Sequence, residues 1–244
     1  VPEAEKSKAK QMLYAAIRWL SSTVPIHTDD MPPIPSDHQQ LMDEAYPGLF
    51  AKLIDPPKVP AEISARPDDI VGTMALAGPF AAYIEKVEGT DNQYKMDLSN
   101  YEKFPVREGL APLGGTVFFE YSPSEQRMNT THINMGGKDI IKDSPEWEMA
   151  QRVALCTLST DMTMIRHLAN THMLVAGTFA GVTTNTLDAD HPIRRLIHPH
   201  CHQTLSTNNY KVANLIKSDE AVFPKIFSYK KEQIHQLMNE HAKS

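Results

Sequence analysis

Apolar residues recur at helical spacing in several stretches of the chain. Residues 5–22 set Met12, Ala15, Ala16 and Leu20 on one face and Lys6, Lys8 and Lys10 on the other, which predicts an amphipathic helix. From Val24 to Pro35 the pattern dissolves into Pro-rich sequence. Ser36-Asp37 then caps a second predicted helix carrying Leu41, Met42 and Ala45, and Pro56, Pro57, Pro60 and Pro67 mark an extended connector. Residues 68–86 read as helical at both ends with a break at Gly78-Pro79. Gly114-Gly115 opens the clearest alternating stretch, Thr116 to Tyr121, bounded at Pro123, which predicts a β-strand. One strand makes no sheet, so the expected class is mostly α with a minor β element.

The strongest local signal is Ser144-Pro145-Glu146-Trp147-Glu148. Ser suits an N-cap, Pro suits the first helical position, and the acids suit the positive end of a helix. Ala150, Val153, Ala154, Leu158, Met162, Ile165 and Leu168 continue the apolar period to Val175, predicting one long helix with Gly177 as its stop. No internal repeat or low-complexity segment interrupts it. Residues 1–67 are expected to form N-terminal helices and a connector, and residues 68–244 the main helical body, as one structural unit overall.

With 244 residues and 41% hydrophobic composition, the chain is long enough for a sizeable core. Its net charge of -6 is spread in mixed sign, and no Lys/Arg run offers a phosphate-binding tract, so nucleic acid is not an expected partner. Cys156 and Cys201 are the only cysteines, which argues for free thiols rather than a disulfide framework or a Cys-based zinc site. The longest apolar stretch, Met173 to Val182, falls well short of the roughly 20 residues that span a bilayer. A soluble or membrane-peripheral protein is expected. The first residue is Val, which suggests a removed leader or a start inside a longer product, with an organelle such as the plastid as one destination.

Histidine is the compositional anomaly. Six of the eleven lie between 167 and 202: His167, His172, His191, His198, His200 and His202. Imidazole binds Fe, Zn and Cu, and two His from one helix commonly begin a metal site. Residues five apart on a regular α-helix, however, stand about 140° apart, so His167 and His172 would not face one metal. A π-bulge inserts an extra residue and brings i and i+5 onto nearly one face. Metal binding by this pair therefore predicts a locally widened helix. In the His198-Pro199-His200-Cys201-His202 cluster the proline restricts the backbone, which counts against a metal site there, and His191 before Pro192 reads as a helix start. A different metalloenzyme built on that cluster is a third possibility.

Trp147-Glu148-Met149-Ala150, then His167-Leu168-Ala169-Asn170-Thr171-His172, then His191-Pro192-Ile193-Arg194-Arg195-Leu196-Ile197-His198-Pro199-His200 resemble, in that order, the central region of lipoxygenases. The likeness covers about Trp147 to Phe227, and more faintly extends back through Asp68 to Tyr121. It implies a partial lipoxygenase-like helical catalytic domain in which His167 and His172 are two ligands of a non-haem iron (Fe). It also implies that Leu215 and Val222 line the tunnel for a polyunsaturated fatty acid. The family reaction is hydrogen abstraction from the doubly allylic carbon of a 1,4-diene, followed by addition of O2.

The resemblance also implies what is missing. Lipoxygenases complete the metal site far downstream with a third His, an Asn or His four residues later, and the C-terminal carboxylate, whereas this chain ends at Ser244. His235 and Asn239 have the downstream spacing but read better as part of a polar amphipathic helix. Leu168 stands where the family commonly carries an aromatic, and Arg166 places a cation beside the first His. Two expectations result: a lipoxygenase-like dioxygenase completed by a further polypeptide, or a degenerate, metal-free module serving as an accessory subunit. The second predicts Arg166 buried against an acid where the metal would sit.

Overall fold

The computed structural model describes residues 60–201, 204–211 and 215–243, with Met12, Ala15 and Gln40 as isolated positions. Both helices expected between residues 5 and 46, and Pro56 and Pro57 of the connector, lie outside the described residues. Within the rest of the connector the chain makes a short helix α1 (Ala61–Ser64), and then α2 (Ile70–Ala77). Asp69, just before α2, ties that helix to a distant strand residue, Thr130. Its carboxylate caps α2 by accepting the Gly72 N–H at 3.0 Å, and accepts the Thr130 N–H and hydroxyl at 3.0 and 2.6 Å. The Arg66 guanidinium lies 2.8 Å from it. Because an unsatisfied buried carboxylate would be costly, this full set of partners fixes α2 against the sheet.

After the break at Gly78-Pro79 only a 3-10 turn, Ala81–Tyr83, remains of the second predicted helical stretch. The chain then builds a five-stranded antiparallel meander in the order β1-β2-β3-β4-β5: β1 (Glu85–Lys86), β2 (Gln93–Asp97), β3 (Thr116–Ser122), β4 (Arg127–Met135) and β5 (Lys138–Ile141). The strand expected at 116–121 is β3, and the alternation elsewhere was hidden by polar residues on the outer face. Gly136 and Gly137, at φ of 56° and 80°, supply the two left-handed positions of a two-residue hairpin between β4 and β5. Gly115 admits the neighbouring strand: a Cβ there would stand 2.6 Å from the Asn134 carbonyl oxygen.

The long helix is present but differently bounded. α3 runs over Trp147–Asp161, and the Ser144 hydroxyl does not cap it. Ser144 instead accepts the Trp147 N–H through its carbonyl, so Pro145 sits in a turn before the helix. Trp147 and Gln151 lock the start of α3 to α2, donating to the Asp68 carbonyl at 2.9 and 3.2 Å. From Met162 to Ala176 the helix changes to π geometry, and at Gly177 it returns to α geometry as α4 (Gly177–Thr186). Gly177 is thus a transition within a helix rather than its stop, with ordinary helical φ of -63°.

Four further helices close the described chain: α5 (Pro192–Cys201), α6 (Thr204–Lys211), α7 (Val222–Ile226) and α8 (Lys231–His241). His191 does start α5, its ring nitrogen accepting the Ile193 N–H at 3.2 Å. Two apolar clusters result. The first joins the inner sheet face (Met96, Val117, Phe119, Ile133) to α2 and the first half of α3. The second packs Met164, Ile165 and Leu168 of the π-helix on Tyr101, Phe104, Phe223, Tyr229, Ile234 and Leu237. The architecture is mostly helical with a small sheet. Among the described residues no helix is long and apolar enough to cross a membrane.

Candidate metal centre

His167 and His172 face one another. Their Nε2 atoms are 3.0 Å apart, and the rings meet edge to face with centroids 4.5 Å apart and planes at 78°. The π-helix is what allows this, because an i→i+5 ladder sets residues five apart nearly in line. The Gly177 N–H donates to the His172 carbonyl, and the Thr171 hydroxyl donates to the Arg166 carbonyl at 2.8 Å. The widening is more extensive than the single bulge the spacing required: it runs from Met162 to Ala176.

The separation has a chemical reading. Two imidazole nitrogens each about 2.1 Å from one metal ion, at a right angle, lie about 3.0 Å apart. With one ring protonated at Nε2 the same distance is a hydrogen bond; with neither protonated, two lone pairs converge on one point. Two neutral imidazoles suit divalent Fe, Mn, Ni, Cu or Zn. The residues therefore fit two positions of a metal's coordination sphere. Among the described residues no group of three or more His, Cys, Asp and Glu converges here or elsewhere. His167 is exposed and His172 half-buried.

Three braces hold the helix carrying the pair. Asn208 on α6 donates its side-chain amide to the His172 carbonyl. At the C-terminal end of α8, the His241 ring is 2.9 Å from the Asn170 side-chain oxygen. At the junction of α3 with the π-helix, Asp161 accepts hydrogen bonds from Tyr83 at 2.5 Å, from Tyr101, and from Arg166 Nε at 3.0 Å. Burial first, and then the Asp161 charge, push both tyrosine hydroxyls far above their ordinary pKa. The Arg166 guanidinium lies over the Tyr83 ring, 4.0 Å from its centre. Arg166 does pair with an acid, but its side chain is 49% exposed and its partner stands at the helix junction, not between the imidazoles. The composition gave no hint of Asp161, Tyr83, Tyr101 or Asn208; a five-residue Asp–Arg spacing was the available signal.

The other candidates fall elsewhere. Leu215 and Val222 are half-buried against the second apolar cluster, alongside Met173, the neighbour of His172. His235 donates through Nε2 to the Ile216 carbonyl at 2.9 Å, and Asn239 is exposed, so that pair forms part of an amphipathic helix face. His198 lines a pocket of about 300 Å³ with Arg194, Arg195 and Pro199, His200 is exposed, and His202 lies outside the described residues. Cys156 and Cys201 are both free thiols.

The lipoxygenase family profile matches residues 115–237, half of the chain. No curated protein sequence matches. Among solved structures, a calcium-dependent 11R-lipoxygenase is similar at 17% identity over 100% of this chain and 41% of its own, with a TM-score of 0.75. A structure described as manganese lipoxygenase is similar at 15% identity over 93% of this chain and 35% of its own, with a TM-score of 0.53. The manganese lipoxygenase of Gaeumannomyces graminis is similar at 13% identity over 77% of this chain and 32% of its own, with a TM-score of 0.55. The chain thus spans between 32% and 41% of these structures. Profile and fold agree with the Trp147, His167–His172 and His191–His200 motifs, and the chain belongs to the lipoxygenase family.

Proposed function

We propose that this chain supplies the first two ligands, His167 and His172, of a non-haem iron dioxygenase site acting on polyunsaturated fatty acids. The observation that carries the reading is the 3.0 Å convergence of the two Nε2 atoms across five residues of π-helix. When bound, the metal would supply the redox chemistry that activates a 1,4-diene toward O2. The chain's own part is to aim both imidazoles at one point, and to bury the helix on its opposite face. Leu215 and Val222 help to form the apolar wall along which the fatty acid lies. Manganese, named in two of the similar structures, suits the same imidazoles and is the metal to compare with iron.

Completion of the site calls for metal ligands besides these two. The exposure of His167 supports this, as does the exposed apolar run Leu174, Val175, Phe179 and Val182 that continues along the same helix. The alternative, a metal-free accessory module, is favoured by the lack of a third converging ligand among the described residues. Metal analysis of native material, with intact mass of every co-purifying chain and an assay for conjugated-diene formation, separates the two. One equivalent of iron or manganese, lost in the His167→Gln and His172→Gln variants, is the expected result. Native material that holds no metal and is inert toward 1,4-diene fatty acids overturns it.

A further inference from the structure

Helix width organises more than the histidines. Asp161 and Arg166 are five residues apart, as are Arg166 and Thr171, His167 and His172, and His172 and Gly177, and each pair is in direct contact. Two columns therefore run side by side along the π-helix, one through 161, 166 and 171, the other through 167, 172 and 177. Arg166 is next to His167 in sequence, and its side chain is long enough to swing toward the imidazoles. Two contacts hold it back: the Asp161 carboxylate at 3.0 Å and the Tyr83 ring at 4.0 Å. Asp161 is itself fixed by the hydroxyls of Tyr83 and Tyr101, which reach it from the turn after α2 and the turn after β2. The sheet side of the molecule thereby sets where a charge on the histidine helix can go.

We infer that Asp161, seconded by Tyr83, is a positioning residue for the histidine pair, retaining the Arg166 guanidinium in its own column so that a divalent cation meets two imidazoles without a like charge beside them. This rests on the metal reading of His167 and His172. The mechanism is electrostatic. A guanidinium freed to approach a divalent ion repels it and competes for its site, and at a partly exposed position that repulsion is moderated by solvent and salt.

The test uses the full chain with Cu(II) as the probe, the divalent ion that imidazole sites bind most strongly. Affinity is measured by titration, and nitrogen coordination by electron paramagnetic resonance, with the His167→Gln/His172→Gln double variant subtracted to remove signal from other histidines. Asp161→Asn is expected to weaken binding at the pair roughly tenfold, and the deficit to shrink in high salt. Arg166→Gln is expected to bind at least as well as the parent. Combining Asp161→Asn with Arg166→Gln is expected to restore binding to within about threefold. If the combination stays as weak as Asp161→Asn, or the deficit ignores salt, Asp161 acts only through packing and the inference is overturned. Unchanged binding in Asp161→Asn overturns it as well. Should Asp161→Asn fail to fold, Tyr83→Leu loosens the hold by removing both the ring beside the guanidinium and one hydroxyl that fixes Asp161, and parent-like binding there overturns the inference. A parent chain with no signal dependent on His167 and His172 overturns the metal reading first, and this inference with it.

Discussion

The side-chain amide of Asn208 donates to the backbone carbonyl of His172, the same carbonyl that accepts the Gly177 N–H. A carbonyl held from two directions is less free to tilt back into α geometry, so α6 braces the widened turn that carries the second imidazole. Removing the amide in Asn208→Ala should cost about 1 kcal/mol. Asn208→Asp should cost more, because a carboxylate would face a carbonyl oxygen. Thermal unfolding ranks the two variants, and hydrogen exchange at residues 172–177 should show faster opening in both. Equal protection in parent and variants would mean that α6 does not brace the turn.

Gly177 should be replaceable. Its φ is helical, and an added Cβ would find only the Asn208 amide and the His172 carbonyl oxygen, both at an ordinary 3.5 Å. Gly177→Ala should therefore raise stability by roughly 0.5–1 kcal/mol through reduced backbone freedom in the unfolded chain. A fall in the melting temperature would show that the junction between π and α geometry needs glycine.

Gly72 behaves oppositely. A Cβ there would lie 2.6 Å from the Met128 carbonyl oxygen and 2.7 Å from the Asp69 carboxylate, neither of which can move without breaking the link between α2 and β4. Gly72→Ala should cost about 1–3 kcal/mol. Asp69→Ala, which strands the partly buried Arg66 guanidinium and the Thr130 donors, should cost about 3 kcal/mol. Denaturant unfolding measures both, and a loss under about 1 kcal/mol in Asp69→Ala would contradict the role given to Asp69.

The tyrosines around Asp161 predict an alkaline limb in stability. Burial, reinforced by the Asp161 charge, raises the Tyr83 and Tyr101 pKa values above the ordinary 10.0. Above about pH 10 the unfolded chain therefore loses tyrosyl protons that the folded chain keeps. The unfolded state then binds fewer protons, and stability falls as pH rises. Their contribution is complete below about pH 10 and disappears as pH climbs through the raised folded values. Melting temperature should start to drop near about pH 10, less steeply in Tyr101→Phe; identical slopes would refute this.

Much of the helical frame was legible because it is written in apolar spacing: Val153, Ala154, Leu158, Ile165 and Leu168 face the core where the period put them. The sheet was less so. Its inner positions, Met128, Thr130 and Ile133 in β4, alternate with polar residues that obscure a simple hydrophobic period, and four of its strands went unmarked. Gly136-Gly137 between two Ile-containing runs was the overlooked hairpin signal. The α3 boundary slipped because Ser144-Pro145 satisfies a turn as well as a cap. The need for a widened helix followed from the five-residue histidine spacing once both rings were assigned to one metal. Its length could not, since it depends on Asp161, Asn208 and Asn170 finding partners far along the chain.

The Asp161–Arg166 bridge also works as a ruler. Carboxylate and guanidinium normally pair at separations of three or four on a helix, as Glu148 and Arg152 do near the start of α3. A pair closed at five marks a coil wider than α, and it does so in the same register as the two imidazoles. Deleting one residue between 161 and 166 would return that bridge to α spacing while leaving the histidines five apart. The two gauges would then disagree, and the helix would have to choose which contact to keep.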